Sequence, residues 1–234
     1  MKAFLLAAGL GTRLRPITDS TPKCLLRIGS RTLLDIWLDA LAGVGVREVL
    51  VNTHHLAPLV RSHVAARSGA PLVRVVHEPR LLGSAGTLVA NREFVSGEDM
   101  FLAVNADNLT DFDLETLVDA HRAGGAIATL TLFHAPDPTR CGIVEVGPDG
   151  TVTGFVEKPT APPGDLANAG VYAFAPGVLD LIEDPLPKDI GYDLLPRLVG
   201  RARAISLDDA YFIDIGTPAA LARARDEWQG RRAS

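Results

Sequence analysis

Runs in which nearly every position is apolar recur along the first 135 residues: KAFLLAA from Lys2, REVLVN from Arg47, PLVRVV from Pro71, MFLAVNA from Met100 and AIATLTLF from Ala126. Runs of this length, rich in Val, Leu and Ile, predict strands covered on both faces. Between them the apolar residues switch to helical spacing, which predicts helices at TLLDIWLDALAGV, APLVRSHVAAR, SAGTLVANREF and DLETLVDAHRA. Asp113 is the N-cap expected for the last of these. Strand and helix alternate, so the pattern predicts a three-layer α/β/α, doubly wound and mostly parallel sheet.

After about Pro136 the pattern changes to the strands GIVEV, TVTGFVE and AGVYAF, joined by the turn PDG and the proline-rich KPTAPPGD. A lid or small β insertion is expected there, making the sheet mixed. The remainder predicts helices at PGVLDLIE and DLLPRLVG, a strand in AISLDDAYFIDIG and a final helix from Thr217. No repeat or low-complexity linker interrupts the chain. One domain over 1–234 is expected, with halves at about 1–135 and 136–234.

Composition narrows the function. The 234 residues are 47% hydrophobic and 22% charged, as in a globular domain, and the net charge of −5 argues against a nucleic-acid partner. Cys24 and Cys141 are too few for a disulfide scaffold or a zinc site and are expected as thiols, Cys141 inert. With no signal peptide and no long apolar run, neither a membrane partner nor export is expected, and the location implied is cytoplasmic.

The candidate chemistry starts at Leu6–Lys23, LAAGLGTRLRPITDSTPK, which follows the first strand. A loop there lies at the carboxyl edge, where open α/β sheets bind ligands. Gly9 and Gly11 let the backbone approach phosphate oxygens, and Arg13, Arg15 and Lys23 bring charge; Arg15, beside Pro16, serves equally well as a brace. The spacing matches neither a P-loop nor a dinucleotide fingerprint. Asp107, at the end of FLAVNAD, and Asp214, at the end of YFID, are a pair of strand-end carboxylates able to hold one Mg²⁺ across phosphates. His54 and His55 read as loop residues and Trp37 as core.

These stretches resemble the sugar-phosphate nucleotidyltransferases. The first loop is similar to that family's signature, and EPRLLGSAGTL, NADN, GFVEKP, NAGVY and FIDIGTP follow in family order through Pro218. The resemblance implies a Rossmann-like fold with a sugar-binding β insertion. It implies transfer of a nucleotidyl group from a nucleoside triphosphate to a sugar-1-phosphate, with pyrophosphate released. Arg13, Lys23 and Asp107 become the catalytic candidates. Nucleotide binding is implied for Leu6, Ala8, Gly9, Gly11, Thr12, Glu78, Gly83, Ser84, Ala85, Gly86 and Asn105 as well, and sugar-phosphate binding for Gly142, Glu157, Lys158, Asn168 and Gly170. The chain departs from the family at Ala106, often glycine, and at Cys141, often aromatic.

In the family the segment after the third strand reads the base. Glu78 there is acceptor-only and complements guanine's adjacent N–H donors, so GTP is favoured. LGSAG also resembles mannose- and heptose-1-phosphate guanylyltransferases. UTP or dTTP with glucose- or N-acetylmuramate-1-phosphate is the alternative. The chain ends soon after its last motif, so no left-handed β-helix is expected, and monomer and homodimer both stay open. A glycosyltransferase is disfavoured because Asn108-Leu109 follows Asp107 where an acidic pair is usual. A non-catalytic nucleotide-sugar sensor is disfavoured because Lys23 and both carboxylates are retained.

Overall fold

The computed structural model describes residues 1–207 and 209–231. In chain order the strands are β1 (Lys2–Leu6), β2 (Arg27–Ile28), β3 (Arg31–Thr32), β4 (Glu48–Thr53), β5 (Leu72–His77), β6 (Phe101–Asn105), β7 (Asn108–Thr110), β8 (Ala128–His134), β9 (Gly142–Val146), β10 (Val152–Glu157), β11 (Leu166–Phe174), β12 (Ala202–Ser206) and β13 (Phe212–Asp214). The α-helices are α1 (Leu33–Gly43), α2 (Ala57–Ala65), α3 (Ser84–Ala90), α4 (Leu114–Gly124) and α5 (Pro218–Arg231).

The main sheet runs β5-β4-β1-β6-β11-β8-β12. Every neighbouring pair is parallel except those made by β11, which runs antiparallel to both β6 and β8. The β9–β10 hairpin joins the start of β11 through Ala167 and Ile143, forming the expected insertion. The sheet is therefore mixed, mostly parallel and doubly wound.

Side-chain alternation divides the core. Ala3, Leu5, Val49, Val51, Leu102, Val104, Val171 and Ala173 pack on one face beneath α1, α4 and α5. Their neighbours Phe4, Leu50, Phe101, Ala103, Tyr172 and Phe174 pack on the other with Ala85 and Leu88 of α3. Each central strand is thus apolar on both sides, as its unbroken run required. Trp37 is core, 3% exposed, and its indole N–H donates to the Asn108 carbonyl at 2.7 Å. Thr32 caps α1 and Asp113 caps α4, each accepting a backbone N–H two or three residues on.

The second face departs from the expected pattern. PGVLDLIE forms a 3-10 turn at Pro176–Leu181, and DLLPRLVG lies across a π turn at Ile190–Leu194 and a 3-10 turn at Leu195–Leu198. Pro196 has no N–H to donate and its ring opposes the preceding turn, so the apolar spacing is met without a regular helix. AISLDDAYFIDIG is two strands, β12 and β13, in different sheets, with Asp208 between them outside the described residues. Among the described residues no helix is long and apolar enough to cross a membrane.

Candidate active site

The carboxyl ends of β1, β4, β5 and β6 open into a cleft of about 440 Å³, closed on the far side by β10, β11 and the turn at 189–192. That volume is ordinary for a small-molecule site. The glycine-rich loop leaves β1 along one wall. Gly11 has φ +62°, and a Cβ there would lie 2.8 Å from Thr18 Cγ2, so this turn needs glycine; Gly9 has only open space before it. Thr18 ties the loop down by donating to the Gly11 carbonyl at 2.8 Å.

The loop brings Lys23 to two carboxylates. Its Nζ lies 2.8 Å from Asp107 Oδ2 and 3.3 Å from Asp214 Oδ1, while Arg13 approaches Asp214 Oδ2 at 3.8 Å. Topology explains the convergence. β7 and β13 form an antiparallel ribbon pairing Asn108 with Asp214, and the Ile215 N–H donates to the Asp107 carbonyl at 3.1 Å. Asp107 does not end a strand, as the sequence suggested, because β6 stops at Asn105 and Asp107 sits in the turn into β7. Asp214 does end β13. The Lys23 side chain is only 10% exposed, whereas Asp107 and Asp214 are 41% and 49% exposed. The ammonium is thus shielded, and the two carboxylates are the charges that face the cleft.

Across the cleft stand Glu157 and Lys158. Glu157 Oε1 lies 3.5 Å from Lys158 Nζ, which also sits 5.5 Å from the centre of the Tyr192 ring. Burial raises the Glu157 carboxyl above its ordinary range, opposed by Lys158 and reinforced by the Asp189 charge. A Cβ at Gly142 would lie 2.5 Å from Glu157 Oε2, so this glycine makes room for the carboxylate rather than facing the cleft. Gly170, at φ +72°, does the same for Asn105, whose amide it abuts. Asn168 lines the cleft and donates to the Tyr172 hydroxyl at 2.6 Å.

Of the expected nucleotide residues, Leu6, Ala8, Gly9, Lys23, Glu78, Gly83, Ser84, Asn105 and Asp107 line the cleft. Gly11, Thr12 and Arg13 lie on its loop, and Ala85 and Gly86 are buried in α3. Arg15 braces that loop by pairing with Asp19 at 3.1 Å. Burial pushes the Cys24 thiol up to about 12, and burial with nearby carboxylates raises Cys141, which favours the neutral thiol at both. His54 and His55 each meet a backbone carbonyl, of Glu78 and Thr18.

Glu78 does not stand open to the cleft as a base-reading carboxylate, as the sequence suggested. It is 3% exposed, its Oε1 accepts from Asn52 Nδ2 at 2.9 Å and Thr87 Oγ1 at 2.6 Å, and its Oε2 accepts from the Leu82 N–H at 3.2 Å. One lone-pair site is left, so the carboxylate has no room for two guanine donors. Glu78 is instead a strut. Asn52 extends it by accepting from the Ala7 N–H at 2.7 Å, tying the first loop to the segment at 78–82. Sequence reasoning missed Asn52, Tyr172 and the whole Asp189–Tyr192 turn, all of which line the cleft. The polar Asn52 ending an apolar strand and the Asp-Ile-Gly after two prolines were the available signals.

The nucleotidyl transferase family model matches residues 2–230. Mannose-1-phosphate guanylyltransferase catalytic subunit beta of Drosophila pseudoobscura pseudoobscura is 32% identical over 93% of this chain and 59% of its own. The UTP–glucose-1-phosphate uridylyltransferase of Synechocystis is 34% identical over 99% of this chain and 63% of its own. This chain therefore spans about 60% of the length of those relatives. The solved structure of a proposed glucose-1-phosphate thymidylyltransferase from Bacillus anthracis, in complex with sucrose, superimposes with a TM-score of 0.83. It covers 97% of this chain and 94% of the other at 24% identity, a likeness of fold.

Proposed function

Because the chain belongs to the nucleotidyl transferase family, we propose that it joins a sugar-1-phosphate to a nucleoside triphosphate, forming a nucleoside-diphosphate sugar and pyrophosphate. The observation that carries this is Lys23 held between Asp107 and Asp214, facing Glu157 and Lys158 across one cleft. The favoured substrates are GTP with mannose- or heptose-1-phosphate. Support comes from the mannose-1-phosphate guanylyltransferases among the relatives, not from the Glu78 carboxylate. UTP with glucose-1-phosphate is the second reading, favoured by the uridylyltransferase relative at 34% identity.

A sugar-phosphate oxygen forms a bond to the α-phosphorus as the bond from that phosphorus to the bridging oxygen of pyrophosphate breaks, and pyrophosphate leaves with the electron pair. The attacking oxygen is already anionic, so the absence of a base–nucleophile pair at His54 and His55 costs nothing. The chain's task is positioning and charge neutralisation. Lys23 and Arg13 supply cations on the triphosphate side, Lys158 supplies one for the sugar phosphate, and Glu157 and Asn168 accept from sugar hydroxyls.

Mg²⁺ fits the residues present. Asp107 and Asp214 are hard oxygen donors close enough that one ammonium touches both, leaving further coordination to phosphate oxygens and water. When bound, the ion would neutralise phosphate charge and hold the reacting groups in line. Incubation with each triphosphate and sugar-1-phosphate pair, followed by mass identification of the nucleoside-diphosphate sugar, tests the reading. Absence of any such product contradicts it.

A further inference from the structure

One turn touches both sides of the cleft. The Lys188 N–H donates to the Leu82 carbonyl at 2.9 Å, and the Gly86 N–H donates to the Lys188 carbonyl at 3.0 Å. Ser84 Oγ donates to Asp189 Oδ2 at 2.8 Å and accepts from the Ile190 N–H at 2.7 Å. A Cβ on Gly83 would run into the Lys188 carbonyl, so the two segments are packed as closely as backbone allows. The base-side loop at 82–86 is thus pinned to a turn about a hundred residues away in sequence.

The same aspartate holds the sugar side. Asp189 Oδ1 accepts from the N–H groups of Gly191 at 2.8 Å and Tyr192 at 3.3 Å. Gly191 abuts Glu157, where a Cβ would lie 2.6 Å from Oε2, and Tyr192 carries its ring beside Lys158. Asp193 anchors the turn from behind, accepting from the Asp189 N–H at 2.7 Å and pairing with Lys188 at 3.3 Å.

We propose that Ser84 and Asp189 are positioning residues that lock the nucleotide loop at 82–86 to the sugar-side residues Glu157 and Lys158, so that loss of their hydrogen bond loosens both substrate sites together. The proposal rests on the sugar-1-phosphate and nucleoside triphosphate reading of this cleft. A serine that merely touched the nucleotide would affect one substrate. A serine that shares Asp189 with Gly191 and Tyr192 affects two. Hydrogen bonds to a charged acceptor are the stronger kind, so removing this one should be felt at roughly the tenfold level.

Two readouts test it. In steady-state kinetics Ser84→Ala should raise KM for triphosphate and for sugar-1-phosphate about tenfold each, with kcat changed less than either. Ser84→Thr, which keeps the hydroxyl, should restore both. Asp189→Ala should repeat the Ser84→Ala pattern, and the double variant should be little worse than either single one. An increase confined to the triphosphate KM, or additive losses in the double variant, would overturn the proposal. The second readout is amide hydrogen exchange without substrate. Ser84→Ala should speed exchange at Gly191 and Tyr192, whose amides do not bond to Ser84, by about tenfold while β1 and β6 stay protected. Unchanged exchange there overturns the coupling even if the substrates are other than supposed, and a wild type that makes no nucleoside-diphosphate sugar overturns the substrate reading alone.

Discussion

Lys23 and Asp107, 84 residues apart in sequence, meet at 2.8 Å because the long loop after β1 folds back to the short turn after β6, and the two leave the carboxyl ends of adjacent parallel strands. Lys23 is nearly buried while its partner is open to the cleft, which places the cation at the floor. Replacing Lys23 with alanine should lower kcat by roughly 10²-fold or more, the scale of groups that stabilise charge developing in a transition state. Steady-state kinetics that show only a raised KM would reduce Lys23 to substrate binding.

Asp107 and Asp214 should be needed for turnover but not for folding, since each is about half exposed and its main partner is Lys23. Alanine at either position is expected to abolish pyrophosphate release, and excess chelator should do the same to the wild type. Thermal melts should stay within a few degrees of wild type. Full activity in chelator, or in Asp214→Ala, would contradict the metal assignment.

Glu78→Gln is expected to act on stability. Both carboxylate oxygens accept hydrogen bonds from neighbours, so an amide would turn one N–H toward a donor and leave it unsatisfied. The cost should be about 1–3 kcal/mol, roughly 2–4 °C in melting temperature per kcal/mol for a chain of this size. Calorimetry checks it; an unchanged melt with an altered base preference would return Glu78 to direct base reading.

Glu157 has the opposite sign. Its folded pKa is raised above the ordinary 4.5 by burial, so ionising it costs the fold. That cost is absent below the unfolded pKa and is fully present once pH exceeds the raised folded value. Glu157→Gln should therefore melt higher than wild type at pH 7 and lose that advantage below about pH 4. Its kcat/KM for sugar-1-phosphate should nevertheless fall by tenfold or more. Melts at the two pH values separate this from a simple packing effect.

The central strands were legible because burial on both faces writes itself as unbroken apolar runs, as in Phe101–Val104, whereas β5 carries a similar run at the sheet edge with Leu72 open to solvent; the loop at Leu6–Lys23 was legible because glycines and cations have no place inside such a layer. The wall at Asp189–Tyr192 was not. It is built from tertiary hydrogen bonds between segments about a hundred residues apart, and its apolar neighbours have helical spacing that Pro196 prevents from becoming a helix. Glu78 was legible as a site residue but misread in role. Sequence shows that a carboxylate is an acceptor; only the fold shows that Asn52, Thr87 and Leu82 have already claimed it.

The most direct measurement is the rate of pyrophosphate release across a matrix of GTP, UTP, dTTP and ATP against mannose-, heptose-, glucose- and N-acetylmuramate-1-phosphate, with Lys23→Ala run beside the wild type. The expected result is release that needs both substrates together, fastest with GTP and mannose- or heptose-1-phosphate, and lost in Lys23→Ala. Release with UTP or dTTP foremost would move the base assignment alone; no release from any pair, or release undiminished in Lys23→Ala, would contradict the function placed in this cleft.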